Sequence, residues 1–282
     1  MAPKSSAVGL PTFGQRLANA GRQRGRLCVG IDPHAHLLKA WGLGDDVTGL
    51  ERFTAICVEA FAQDAALVKP QVAFFERFGS RGFAVLERAL ADLRDAGCLT
   101  LADAKRGDIG STMAGYATAW LDPASTLCAD AVTVSPYLGV GALDAVFAQA
   151  QAHQAGVFVL AATSNPEARE VQFSRGADGR LVCQAVVDEC AQRNAVHAPQ
   201  PGNVGVVVGA TVAEPPQLEQ LNGPVLLPGV GAQGASAADV KRITAHAPEL
   251  GFANVSRSIL SQGPDVQALR DAVRAQAEEF GS

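Results

Sequence analysis

The sequence predicts a single (β/α)8 barrel of the TIM type, on three observations. Eight short, apolar, β-branched runs recur along the 282 residues. Segments with helical periodicity separate most of them, and each run ends in a polar or glycine-rich turn. No linker and no repeat finer than the β/α unit interrupts the series, so residues 1–282 read as one domain. A doubly wound sheet would usually need fewer strands, and no G-x-G-x-x-G follows the first run.

Residues 1–25 form an extension expected to cover the barrel bottom with a short helix. Strands are expected at Leu27–Ile31, Ala66–Val68, Thr100–Ala102, Ala131–Val134, Val157–Ala161, Val204–Val208, Val225–Leu227 and Phe252–Val255, where branched and aliphatic residues run between turn formers. Ala- and Leu-rich faces at helical spacing predict helices over Gly49–Asp64, Phe83–Ala96, Ser111–Leu121, Leu143–His153, Leu181–Asn194 and Ala237–His246. Asp265–Phe280 reads as a closing helix. The connection at 164–203 is longer than the others. It holds the turn-rich stretch SRGADGR and one helix, and reads as an elaborated loop.

Composition excludes several classes. At 48% hydrophobic and 18% charged residues the chain can bury a sizeable core, which rules out overall disorder. A net charge of −5 is too mild for a nucleic-acid or membrane-surface footprint, so an anionic ligand needs a local site. The six cysteines at 28, 57, 98, 128, 183 and 190 form no C-x-x-C pair and no zinc-like cluster. Buried free thiols and a cytoplasmic location fit that usage. The N-terminal stretch has no apolar h-region, and the uncharged run Ala145–Pro166 is broken by Gln149, Gln151, His153 and Gln154, so neither a leader nor a membrane span is expected.

In such barrels chemistry sits on the loops after the strands. The strand ends offer Asp32, Lys69, Asp103, Lys105, Asp108, Ser164 and Arg257. Residues i and i+2 of a strand share a face, so Asp103 and Lys105 should project together, whereas Asp108 lies further on, near the next helix. Interleaved carboxylates and ammoniums keep one another ionised despite burial, leaving Lys105 able to donate a proton beside a fixed anion. A structural salt-bridge ring closing the barrel top would use the same residues.

Glycines 229, 231 and 234 let backbone N–H groups approach an anion closely. With Arg257 after the eighth strand they predict a phosphate site. His34 and His36 lack a third metal ligand and read as loop polar residues. Ser164 suits either a hydrogen bond to a substrate carbonyl or the capping of a turn.

The segment LADAKRGDIGSTMAGYA resembles the D-x-K-x-x-D signature of the orotidine 5′-phosphate decarboxylase family, here Asp103, Lys105 and Asp108. VGIDP at 29–33, LVKPQ at 67–71, LPGVGAQG at 227–234 and VSRSI at 255–259 continue the resemblance in order, and the KRGDIGSTM context is similar to the bacterial type 2 branch.

The resemblance implies decarboxylation of orotidine 5′-phosphate to uridine 5′-phosphate with no metal or organic cofactor. It gives Lys105 the role of general acid and sets Asp103 against the substrate carboxylate. Lys69 and Asp32 hold the ribose and the charge network, Ser164 contacts the pyrimidine, and Gly231, Gln233 and Arg257 serve the phosphate. Asp108, with Ile109 and Thr112 beside it, would reach the partner's site in a homodimer with shared active sites. The partner molecule is a small substrate, with no nucleic acid and no membrane. Magnesium-dependent sugar-phosphate enzymes share the motif, but no third carboxylate for a metal lies near it. A Schiff-base aldolase would need a neutral lysine, and a non-catalytic phosphoribosyl sensor would not need the complete Asp/Lys/Asp set.

Overall fold

The computed structural model describes residues 10–231 and 234–281. Eight parallel strands close into a barrel in chain order, β1 pairing with β8. They are β1 (Leu27–Ile31), β2 (Leu67–Pro70), β3 (Leu99–Arg106), β4 (Ala131–Val134), β5 (Gly156–Ala162), β6 (Val204–Val208), β7 (Val225–Pro228) and β8 (Gly251–Val255). The helices are α1 (Phe13–Arg24), α2 (Ala35–Ala40), α3 (Val47–Phe61), α4 (Val72–Glu76), α5 (Gly79–Asp95), α6 (Gly110–Leu121), α7 (Asp144–His153), α8 (Ala168–Gln172), α9 (Val182–Asn194), α10 (Ala237–Ile243), α11 (Arg257–Leu260) and α12 (Val266–Gly281). No helix separates β6 from β7, where Pro215 and Pro216 oppose one.

Alternation along the strands gives the barrel two storeys. The lower is apolar, built from Cys28, Leu67, Leu101, Ala131, Phe158, Val207, Leu226 and Phe252. Helix α1 plugs it from below. Phe13 and Leu17 are fully buried in this cluster, and Phe13 meets Phe158 edge-to-face at 5.9 Å. A capping box on Thr12 starts the helix, and the Phe13 N–H donates to Asn203 Oδ1 at 2.7 Å.

Two residues further along four of the strands the lining turns polar. Lys69, Asp103, Thr133 and Asn254 follow Leu67, Leu101, Ala131 and Phe252 and open into the mouth. Gly30 stands at this level in β1, where an added Cβ would fall 1.9 Å from Ser256 Oγ. Only a glycine lets β1 and the end of β8 approach so closely.

Strand β3 runs four residues beyond its expected end. Between Ala102 and Arg106 it advances four residues while β4 advances two, from Val132 to Val134, which makes a bulge. Asp103 and Lys105 therefore lie within the strand. They meet through a distorted backbone with Lys105 in the left-handed region, at φ 48°, and not by plain alternation.

The long 164–203 connection holds α8, a turn closed by an Arg175–Leu181 bridge, and α9. The six cysteines are free, and all but Cys128 are buried. No described helix is long and apolar enough to cross a membrane.

Candidate active site

The polar storey surrounds a cavity of about 300 Å3 at the C-terminal ends of the strands. Its centre is Asp103, a side chain 8% exposed that accepts four hydrogen bonds. Lys105 Nζ at 2.5 Å and Thr133 Oγ1 at 2.9 Å reach Oδ1. Lys69 Nζ at 2.8 Å and Gln71 Nε2 at 3.0 Å reach Oδ2. A carboxylate offers about four lone-pair sites, so Asp103 is saturated and held in one orientation.

Burial by itself would raise the Asp103 carboxyl, but Lys69 and then Lys105 outweigh it and hold the group far below the usual carboxylate range. Burial likewise opposes charge on Lys69, and Asp103 followed by Asp32 hold it as an ammonium above the ordinary lysine value. The two buried partners thus fix each other's charge. Lys105 differs, because its side chain is 45% exposed and its tip stands between Asp103 and the open cavity.

Asp32 lines the same cavity, and its Oδ1 is buried without a hydrogen bond. A buried carboxylate oxygen lacking a donor is costly, and a ligand hydroxyl would satisfy it. At the β7–β8 side stand Gly229, Val230, Ser256 and Arg257. With Lys69, Lys105 and Arg257 facing Asp32 and Asp103, the mouth is locally cationic within a chain of net charge −5. Leu160, Val207 and Leu226 supply an apolar floor.

Asp32, Lys69, Asp103, Lys105 and Arg257 are thus brought together as the sequence suggested. Ser164 lies in an adjoining depression of about 210 Å3 that shares Thr163 with the main cavity. Gly231 stands one residue beyond the lining, its N–H donated to Ala235 O at 2.9 Å. Gln233 lies outside the described residues. Asp108, whose Oδ1 accepts the Ile109 N–H at 2.8 Å, does not line the cavity of its own chain, and neither do Ile109 and Thr112. Ile109 is 62% exposed, unusual for an isoleucine.

Gln71, Thr163 and Ser256 stand at strand ends legible in the sequence but were given no role there, and Thr133 and Asn254 were not singled out. Gln71, Thr133, Asn254 and Ser256 carry the signal of inward alternation, each two or four residues beyond an apolar barrel residue. His34 lies in the loop between β1 and α2, as read, and there it also lines the cavity and packs edge-on to Phe74 at 4.2 Å. Burial lowers its imidazole below the ordinary value, offset only in part by Asp32.

A closed parallel barrel with a saturated carboxylate and a half-free ammonium at its mouth defines a barrel enzyme. Residues 25–272 match the model of the orotidine 5′-phosphate decarboxylase / HUMPS family, and the chain belongs to that family.

The orotidine 5′-phosphate decarboxylase of Corynebacterium efficiens is 62% identical over 271 residues, 95% of this chain and 97% of that protein. The decarboxylase of Salinispora tropica is 58% identical over 264 residues, 93% of this chain and 95% of its own. A crystal structure from Streptomyces avermitilis matches with a TM-score of 0.92 at 52% identity, over 99% of this chain and 98% of that one. This likeness makes the chain a decarboxylase, a carboxy-lyase.

Proposed function

We propose that the chain converts orotidine 5′-phosphate to uridine 5′-phosphate and carbon dioxide in de novo pyrimidine synthesis, with Lys105 as general acid and no metal or organic cofactor. The observation that carries this reading is Asp103, anchored by four donors beside the half-exposed Lys105 ammonium. When the bond to the departing carboxylate breaks, its electron pair stays on a ring carbon that delocalises it poorly. The ammonium stabilises that charge and gives the carbon a proton, and the neutral amine is reprotonated from solvent.

Asp103 repels the substrate carboxylate but not the product. At an effective dielectric near 20, like charges about 4 Å apart repel by roughly 4 kcal/mol. That corresponds to about three powers of ten in rate, so binding of the remote phosphate must contribute further. Arg257 with the 229–234 loop, Gln233 included, would take the phosphate, Asp32 and Lys69 the ribose, and Ser164 the pyrimidine. A divalent metal is poorly served here, because Asp103 is already filled by two ammoniums and two neutral donors.

The chain would act as a single domain in the cytoplasm, on a small substrate and with no nucleic-acid or membrane partner. It would form a homodimer in which Asp108, Ile109 and Thr112 complete the partner's site. Their position off their own chain's cavity supports that arrangement.

Orotidine 5′-phosphate added to the wild type in excess EDTA should lose its ultraviolet absorbance rapidly. A folded enzyme that is silent in EDTA but recovers with magnesium would overturn the reading. For the shared site, mixing the Asp108→Ala and Lys105→Ala proteins should restore part of the activity through hybrid dimers. No recovery despite demonstrated subunit exchange would remove Asp108 from the site.

A further inference from the structure

We infer that Thr133 is a positioning residue for the Lys105 ammonium, acting through a ring of hydrogen bonds that joins the backbone of Lys105 to the tip of its own side chain. The Lys105 N–H donates to Thr133 Oγ1 at 2.9 Å, and that hydroxyl donates to Asp103 Oδ1 at 2.9 Å. The same oxygen receives Lys105 Nζ at 2.5 Å, which closes the ring.

Each link is needed for a physical reason. The bulge takes the Lys105 N–H out of the regular β3–β4 register, so this donor needs a side-chain acceptor. Lys105 also holds φ 48°, a conformation a long side chain occupies only when its surroundings impose it. Thr133 is 1% exposed on the adjacent strand β4, and its β-branched side chain is stiff at χ1. One hydroxyl thereby ties the turn of the lysine backbone to the carboxylate oxygen that receives the lysine tip. Alanine or valine at 133 would leave the Lys105 N–H without its partner and leave Lys105 Nζ as the sole donor on Asp103 Oδ1, with Oδ2 still held by Lys69 and Gln71.

This inference rests on Lys105 being the proton donor, and the experiment separates the two. Steady-state kinetics and melting temperatures would be measured for the wild type and for Thr133→Ser, Thr133→Ala, Thr133→Val and Lys105→Ala. A misplaced reacting group costs up to about 100-fold, so Thr133→Ala and Thr133→Val should lower kcat by about 10- to 100-fold with KM within about twofold. Thr133→Ser keeps the hydroxyl and should stay within about threefold of wild type by the same reasoning.

Serine and alanine both lose the methyl group, so their comparison isolates the hydroxyl even if Thr133→Val fails to fold. Equal kcat for Thr133→Ser and Thr133→Ala would overturn the inference, as would a fall in kcat matched by a rise in KM. A Lys105→Ala enzyme of full activity would instead overturn the reading of the reaction itself.

Discussion

Lys105→Ala is expected to remain folded, to bind uridine 5′-phosphate, and to lose at least about three powers of ten in kcat, the upper part of the range for a removed general acid. The fold should survive because this ammonium is the exposed member of the cluster. Its loss still leaves Asp103 paired with Lys69, Gln71 and Thr133. On the proposed mechanism binding should survive, because the ammonium would stabilise charge that exists only during bond cleavage, whereas the product carries none at that carbon. Single-turnover measurement of absorbance, alongside product titration, checks both halves. A variant with kcat within tenfold of wild type would remove Lys105 from proton transfer.

Asp103→Ala should fail in a different way. It should abolish turnover and also strip Lys69, a side chain only 4% exposed, of its principal counter-charge. Breaking a buried pair from one side costs about 3–5 kcal/mol, so urea midpoints should fall sharply. Asp103→Asn, which keeps the shape, should cost less.

The pH dependence follows from the same pair. The Asp103 carboxyl is held below its unfolded value of about 3.9, so its stabilisation is complete above that pH and is lost as pH falls further. Lys69 is held above its unfolded value of about 10.4, so its share is complete below that pH and is lost as pH rises through the folded value. Urea unfolding between pH 2 and 7 should show the wild type losing stability in acid more steeply than Asp103→Asn. Parallel curves would mean that the pair does not titrate as a unit.

The barrel was legible because a parallel strand buried on both faces writes an unmistakable apolar run, and six of the eight strands end within a residue of their runs, β2 running two residues further and β3 four. Strand β3 was not fully legible. Its runs of charge after Ala102 look like a loop, and no glycine marks Lys105 as left-handed. Asp103 and Lys105 were nevertheless found, since clustered charges at a strand end are rare enough to stand out. Thr133 stayed hidden for the opposite reason, a threonine in a strand being commonplace. His34 is the loop residue its H-x-H setting suggested, but its place in the cavity wall was not legible, because Phe74, against which its ring packs, lies forty residues away in sequence.

The plug beneath the barrel bears on how the chain is made. Phe13 and Leu17 leave the ribosome before every strand of the barrel, and some of the groups that receive them come much later. The Asn203 side chain that accepts the Phe13 N–H lies 190 residues downstream, and Phe252 follows later still. At ordinary synthesis rates of 5–20 residues per second, that interval is about 10–40 s. For that time α1 carries an unpaired greasy face on a nascent chain whose barrel cannot yet close, since β1 also waits for β8. Helix α1 is therefore made before any strand of the barrel yet is fully seated only after the last of them, so its apolar face stays open to other chains until the barrel closes.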